Sequence, residues 1–221
     1  EWGLGRLIQE IAEFDAFEII RYITSHPRDV TQDLIDAHRD VKKLSPYLHL
    51  PVQSGSNRIL KAMNRKHDRD FYFKLIDQFR EARPDIAFSS DFIVGFPGED
   101  DRDHKETLDM IRQVNYAQAY SFKYSRRPGT PAWASEQQVD EDLKGERLAE
   151  LQALLDEQKM AFNQKCVGQE MNVLFERKSR HEGQLSGRSP YMQSVYVQAN
   201  PRLINTVVPV RIIGCGNNSL T

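Results

Sequence analysis

Leu48–Arg65 reads LHLPVQSGSNRILKAMNR. It opens as an extended apolar run, breaks at Gln53-Ser54-Gly55-Ser56 and continues as an amphipathic helix. A strand that ends in a polar turn and opens a helix is where α/β proteins place ligand-binding groups. The same four residues also make an ordinary βα turn with Ser56 as the helix N-cap.

The pattern repeats outward from this stretch. Four β-rich runs, Glu18–Ser25, Tyr47–Gln53, Ile86–Phe96 and Gln118–Ser125, begin 29, 39 and 32 residues apart. Helical patterns fill the gaps. One follows Thr31, whose hydroxyl is a candidate N-cap for QDLIDAHRD, and one follows Ser56. One spans Arg69–Arg83, with Phe71, Leu75, Ile76 and Phe79 on one face. One spans Asp101–Val114, with acidic residues in its first turn as the helix dipole prefers. Strands separated by helices imply βα units and a parallel sheet. The spacing fits a barrel or an open doubly wound sheet equally.

A long helix is expected from about Val139, with Leu143, Leu148, Leu151, Leu154 and Leu155 as its apolar stripe. After Gly168 short alternating runs take over: EMNVLFE, GQLSG, SVYVQ and TVVPVRIIG, divided by turn residues. They imply a small antiparallel β-barrel or sandwich. The expected division is therefore residues 1–161 and residues 162–221. The last run breaks off at Asn217–Thr221, so the small barrel is expected to lack its final piece.

Of 221 residues, 39% are hydrophobic and 28% charged, a globular composition. No apolar run approaches the roughly 18 residues that cross a membrane, and the first residues lack a signal-peptide pattern. A cytoplasmic protein is expected. The two cysteines, Cys166 and Cys215, provide neither a disulfide framework nor a zinc site by themselves. The net charge of −2 hides an asymmetry. Residues 162–221 carry seven basic and three acidic side chains, the remainder 23 and 29. The second module is the one suited to a polyanion.

Three stretches of the first module can carry chemistry. The Gln53–Ser56 turn is one. Asp91 is the second, a carboxylate inside the apolar strand IAFSSDFIVGF, where it needs a ligand hydroxyl or a basic side chain as partner. Nearby Gly95 permits close backbone approach, and Pro97-Gly98 signals a turn. The third is Lys123–Pro131, KYSRRPGTP, which puts Arg126 and Arg127 at the same rim. They are phosphate contacts or a solvated loop. No GxGxxG, P-loop or GxSxG pattern is present.

LHLPVQSGSNRILKAMNRKH, SSDFIVGFPGE and FKYSRRPGTPA together resemble the methylthiotransferase branch of the radical S-adenosylmethionine enzymes. Within that branch they look like the group that acts on isopentenyl-adenosine of tRNA. TSHPRDVT at Thr24–Thr31 fits the same group, and QLSGRSPYMQSVYV with VPVRIIGCGNNSL resembles a TRAM domain. The resemblance covers essentially the whole chain. It implies an α/β fold: the C-terminal portion of a partial (β/α) radical SAM barrel with its trailing helix, followed by an antiparallel TRAM barrel.

The resemblance also implies a site. Gln53, Arg65 and Asp91 match cofactor-holding positions, with Ser54 beside them and Ile93, Val94 and Phe122 packing the adenine. A carboxylate and an amide accept from ribose hydroxyls, and a guanidinium pairs with the methionine carboxylate. RNA contacts fall to Arg126 and Arg127 at the rim and to Arg177, Lys178, Arg180 and Arg188 in the small barrel. The implied partners are S-adenosylmethionine, the tRNA anticodon arm and an electron donor.

Such enzymes use two 4Fe–4S clusters, one on a CxxxCxxC motif and one on three cysteines of an N-terminal domain. Neither set occurs here. The chain is therefore expected to be the C-terminal part of a longer enzyme, inactive alone and without metal ligands of its own. Sister groups act on threonylcarbamoyl-adenosine of tRNA or on a ribosomal protein aspartate. A non-catalytic RNA-binding module is the alternative from another class.

Overall fold

The computed structural model describes residues 2–23 and 26–221. The first module builds from βα repeats. Helix α1 (Leu4–Ala12) packs on α2 (Gln32–Asp40), where the Asp33 carboxylate accepts from the Arg6 amide at 3.0 Å. Strand β1 (Tyr47–His49), helices α3 (Asn57–Ala62) and α4 (Arg69–Ala82), strand β2 (Ala87–Val94), helix α5 (Asp101–Val114) and strand β3 (Gln118–Lys123) follow. The strands lie parallel in the order β1-β2-β3, with Asp91 beside Tyr120 and His49 beside Ser89.

Two expected strands come out shorter. The Glu18–Ser25 run contributes one parallel rung, Ile20 beside Leu44, and Thr24 and Ser25 lie outside the described residues. β1 stops at His49 because the next amide toward β2 after Leu50, that of Val52, donates to Ser90 Oγ at 3.0 Å instead of to a backbone carbonyl. The ladder resumes where Gln53 pairs with Phe92.

Two other expectations change with the packing. Thr31 occupies the N-cap position of α2, but its hydroxyl makes no capping hydrogen bond to a backbone amide. On α4 the buried face is Tyr72, Leu75, Ile76 and Phe79, while Phe71 is turned to solvent. Asp68 caps α4, and Asp100 with Asp103 forms a full capping box on α5.

One core joins the sheet to its helices through Leu48, Leu50, Phe88, Phe92, Val94, Ile76, Phe79, Leu108 and Ile111. Each such burial contributes roughly 1.5–3 kcal/mol.

After the short helix α6 (Pro131–Ala134), helix α7 (Glu141–Cys166) runs without a break into the second module. Of the expected leucine stripe only Leu151 and Leu155 are buried. The rest of the inward face is polar: Lys144, Arg147, Gln158 and Asn163. Gln158 accepts from the Tyr116 amide at 3.0 Å and donates to the Ile111 carbonyl at 2.9 Å, closing the end of α5.

The second module is a five-stranded sheet of β4 (Glu170–Lys178), β5 (Gln184–Arg188), β6 (Ser194–Gln198), β7 (Val207–Arg211) and β8 (Ser219–Leu220), in the order β7-β4-β5-β6-β8. All pairs are antiparallel except β6 with β8, which is parallel. The segment after β7 turns back onto β8, with Ile213 N–H to Thr221 O at 2.7 Å and Thr221 N–H to Gly214 O at 2.9 Å. The final residues thus pair on both sides. Val173, Phe175, Leu185, Val195 and Ile212 fill the interior, with Cys166 and Phe162 entering from α7.

Arg21 fastens the modules. It donates to the Ser189 carbonyl at 3.3 Å and faces Glu176 at 3.8 Å. Asn163 and Gln193 join α7 to the small barrel at 2.7 Å. No helix among the described residues is long and apolar enough to cross a membrane.

Candidate functional site

The turn after β1 divides its labour. Ser54 and Gly55 are locked to α5: the Gly55 amide donates to Thr107 Oγ1 at 3.0 Å, and Ser54 Oγ lies 3.4 Å from the same Thr107 oxygen. A Cβ on Gly55 would fall 2.5 Å from the Glu106 carbonyl, so only glycine allows this approach. Ser56 caps α3 and donates to Asp103 Oδ1 at 2.6 Å. The turn therefore grips α3 and α5 through Ser54, Gly55 and Ser56, and Gln53 lies buried beside it.

Gln53 has φ +78, a left-handed conformation unusual for a side-chain-bearing residue. It is held there from both sides, its amide donating to the Asp91 carbonyl at 2.9 Å and its carbonyl accepting from the Ile93 amide at 2.9 Å. Such retained strain concentrates at ligand sites.

Gln53, Arg65, Asp91, Ile93, Phe122 and Arg127 line one cavity of about 860 Å³ at the carboxyl ends of the strands. Asp91 and Ile93 point to it because they alternate with the core-facing Phe92 and Val94. Arg65 follows α3 on the chain-reversing Asn64. Burial pushes the Arg65 guanidinium down from its ordinary range, and the opposed Asp91 charge acts the other way. His49 Nε2 faces Asp91 Oδ2 at 3.4 Å. The Tyr124 hydroxyl, on another cavity-lining residue, is buried and finds no hydrogen-bond partner among the described residues.

Three expected residues stand elsewhere. Ser54 is fully buried in the turn, and the Val94 side chain lies in the core, since neighbouring residues of a strand face opposite sides. Arg126 folds back, donating to the Trp133 carbonyl at 2.6 Å with its guanidinium 5.7 Å from that ring. Sequence reasoning missed His26, Phe96 and Tyr124 on the wall and His49 beside Asp91.

In the small barrel Arg177, Lys178 and Arg180 share an open cavity of about 820 Å³ with His181 and Tyr196. Arg188 is not part of it. Its guanidinium donates to the Met192 carbonyl and Ser194 Oγ, both at 3.1 Å, and faces Glu176 at 3.8 Å. Cys166 is buried, its thiol donating to the Phe162 carbonyl at 3.4 Å, and burial pushes that thiol up. Among the described residues no three His, Cys, Asp or Glu side chains gather to hold a metal ion, so these residues do not fit an iron–sulfur cluster.

Comparison with known proteins agrees with this layout. Residues 2–111 match the family described as the Radical SAM superfamily, and residues 164–221 match the TRAM domain. The tRNA-2-methylthio-N(6)-dimethylallyladenosine synthase of Sphingopyxis alaskensis is 57% identical over 99% of this chain and 49% of its own length. That of Rickettsia canadensis is 54% identical over 100% of this chain and 50% of its own. The chain thus spans about half the length of the curated relatives it matches. Among solved structures, coproporphyrinogen III oxidase from Escherichia coli, described as a radical SAM enzyme, superposes with a TM-score of 0.57 at 18% identity, over 85% of this chain and 50% of that one. With a parallel sheet that gathers polar groups at its carboxyl edge and a closed β-module behind it, the chain belongs to the radical SAM superfamily and carries a TRAM domain.

Proposed function

We propose that this chain is the cofactor-cradling and RNA-gripping part of a cytoplasmic enzyme that methylthiolates carbon 2 of isopentenyl-adenosine beside the tRNA anticodon. One observation carries the reading. Gln53, Arg65 and Asp91 meet on one cavity in a chain 57% identical, over 99% of its length, to a synthase named for that product.

The donor set suits S-adenosylmethionine. Asp91 and Gln53 accept from ribose hydroxyls, and Arg65 pairs with the methionine carboxylate. Ile93 and Phe122 give the adenine an apolar wall, and the Tyr124 hydroxyl offers one further hydrogen bond. Ser54 and Val94 serve from behind, as anchors of the turn and the strand. When bound, the cofactor supplies radical hydrogen abstraction from the base and, from a second molecule, the methyl group. This chain's share is to orient the cofactor and exclude water.

The reading includes two 4Fe–4S clusters held by other residues, and an external electron donor. These 221 residues alone are then expected to yield no product. Arg127 at the cavity mouth, and Arg177, Lys178 and Arg180 on the TRAM face, would meet the phosphates of the anticodon arm. Arg126 and Arg188 would serve the local structure that supports them.

Nucleoside mass spectrometry tests the reading, on tRNA from cells lacking the native activity, with and without the full gene. Return of the methylthio-isopentenyl nucleoside supports it. Unmethylthiolated isopentenyl-adenosine persisting beside intact, cluster-loaded protein overturns it, and moves the threonylcarbamoyl and ribosomal substrates ahead.

A further inference from the structure

Below the cavity on the same sheet face lies a second, smaller one of about 290 Å³, lined by Arg21, Tyr47, His49, Tyr120 and Met192 among others. His49 stands between the two. Its Nδ1 lies 2.5 Å from Ser89 Oγ and its Nε2 3.4 Å from Asp91 Oδ2. The Tyr120 ring meets the imidazole edge-on, with centroids 6.2 Å apart.

Donor counting gives this row a direction. An ionised carboxylate only accepts, so the His49 nitrogen that faces Asp91 carries a proton. Ser89 has one hydroxyl proton. Its donation to His49 Nδ1 is compatible with an Nε2 proton turned toward Asp91. Donation then runs Ser89 to His49 to Asp91, with no conflict along it.

We propose that His49 is a positioning residue for cofactor recognition: it holds the Asp91 carboxylate from the side of the smaller cavity, so that the carboxylate meets the cofactor's ribose hydroxyls in one fixed orientation. The proposal rests on the reading of the upper cavity as the S-adenosylmethionine site. The Asp91 side chain is 28% exposed, so burial alone does not fix its orientation.

The test is equilibrium binding of S-adenosylmethionine to the full gene product, measured by calorimetry without turnover. H49F is expected to weaken binding several-fold, up to about tenfold, the scale of losing one polar contact to a charged group. H49Q keeps an N–H donor near the Nε2 position and is expected to restore most of the loss. In a D91A background H49F is expected to add nothing. Wild-type affinity in H49F beside weakened D91A would overturn the role of His49 and leave the cofactor reading standing. An equal H49F loss with and without Asp91 would overturn it too, because His49 would then act independently. Unchanged affinity in D91A would remove the cofactor reading of Asp91, and this proposal with it.

Discussion

Arg147 of α7 and Glu99 at the entry to α5 form an ion pair at 3.0 Å in which the side chains are 4% and 2% exposed. The same Glu99 oxygen accepts from the Gly95 amide at 2.9 Å, so the pair also fixes the loop after β2. Burial pushes the Glu99 carboxyl up, and the Gly95 amide and Arg147 oppose that rise.

R147M should cost about 3–5 kcal/mol, because it leaves Glu99 buried and unpaired. Adding E99Q should recover much of the loss by removing the stranded charge. Urea denaturation of the two variants measures this, and equal stabilities would sink the argument.

Gly95 has φ +70, and a Cβ there would lie 2.2 Å from Lys144 Cγ. G95A combines a left-handed backbone cost of roughly 1–2 kcal/mol with overpacking of roughly 1–3. K144A should relieve the second cost and leave the first. Complete rescue of the melting temperature would show that the backbone conformation carries no cost.

The βα order and the change of texture after Gly168 were legible because hydrophobic period and turn residues are local signals. The face of α7 was not. Lys144, Arg147, Leu151, Leu155 and Gln158 make one continuous inward stripe, yet three of the five are polar and hide it from a hydrophobicity pattern. Gln53 and Asp91 were readable from motif. His49 was not, because its role depends on strand register that places it against Ser89 and near Asp91. Arg126 and Arg188 looked like RNA contacts by charge, and their backbone acceptors appear only in the fold.

His38 is fully buried, with Nε2 2.7 Å from the Tyr22 hydroxyl, its ring against Phe79 and Arg83 nearby. Burial, with the Arg83 charge, pulls its pKa down to about 4. The unfolded chain binds a proton near pH 6.5 that the folded chain refuses until about pH 4. Its contribution is thus complete above the unfolded value and is lost as pH falls through this window, a change on the order of 3 kcal/mol. Denaturation of H38L at pH 7 and pH 5 should show a smaller pH difference than the unmodified chain. An identical difference in both would mean that another group titrates.

Arg177, Lys178 and Arg180 share an open face, whereas the Arg188 guanidinium is spent on Met192, Ser194 and Glu176. Charge reversal of the first three should weaken tRNA binding by the full gene product and reduce the slope of log affinity against log salt by about two to three, one counterion per lost phosphate contact. R188E should leave that slope nearly unchanged and lower the unfolding midpoint instead, because it sets a like charge beside Glu176. Filter binding across a salt series separates the two outcomes. A slope change in R188E as large as in the triple variant would place Arg188 on the RNA after all.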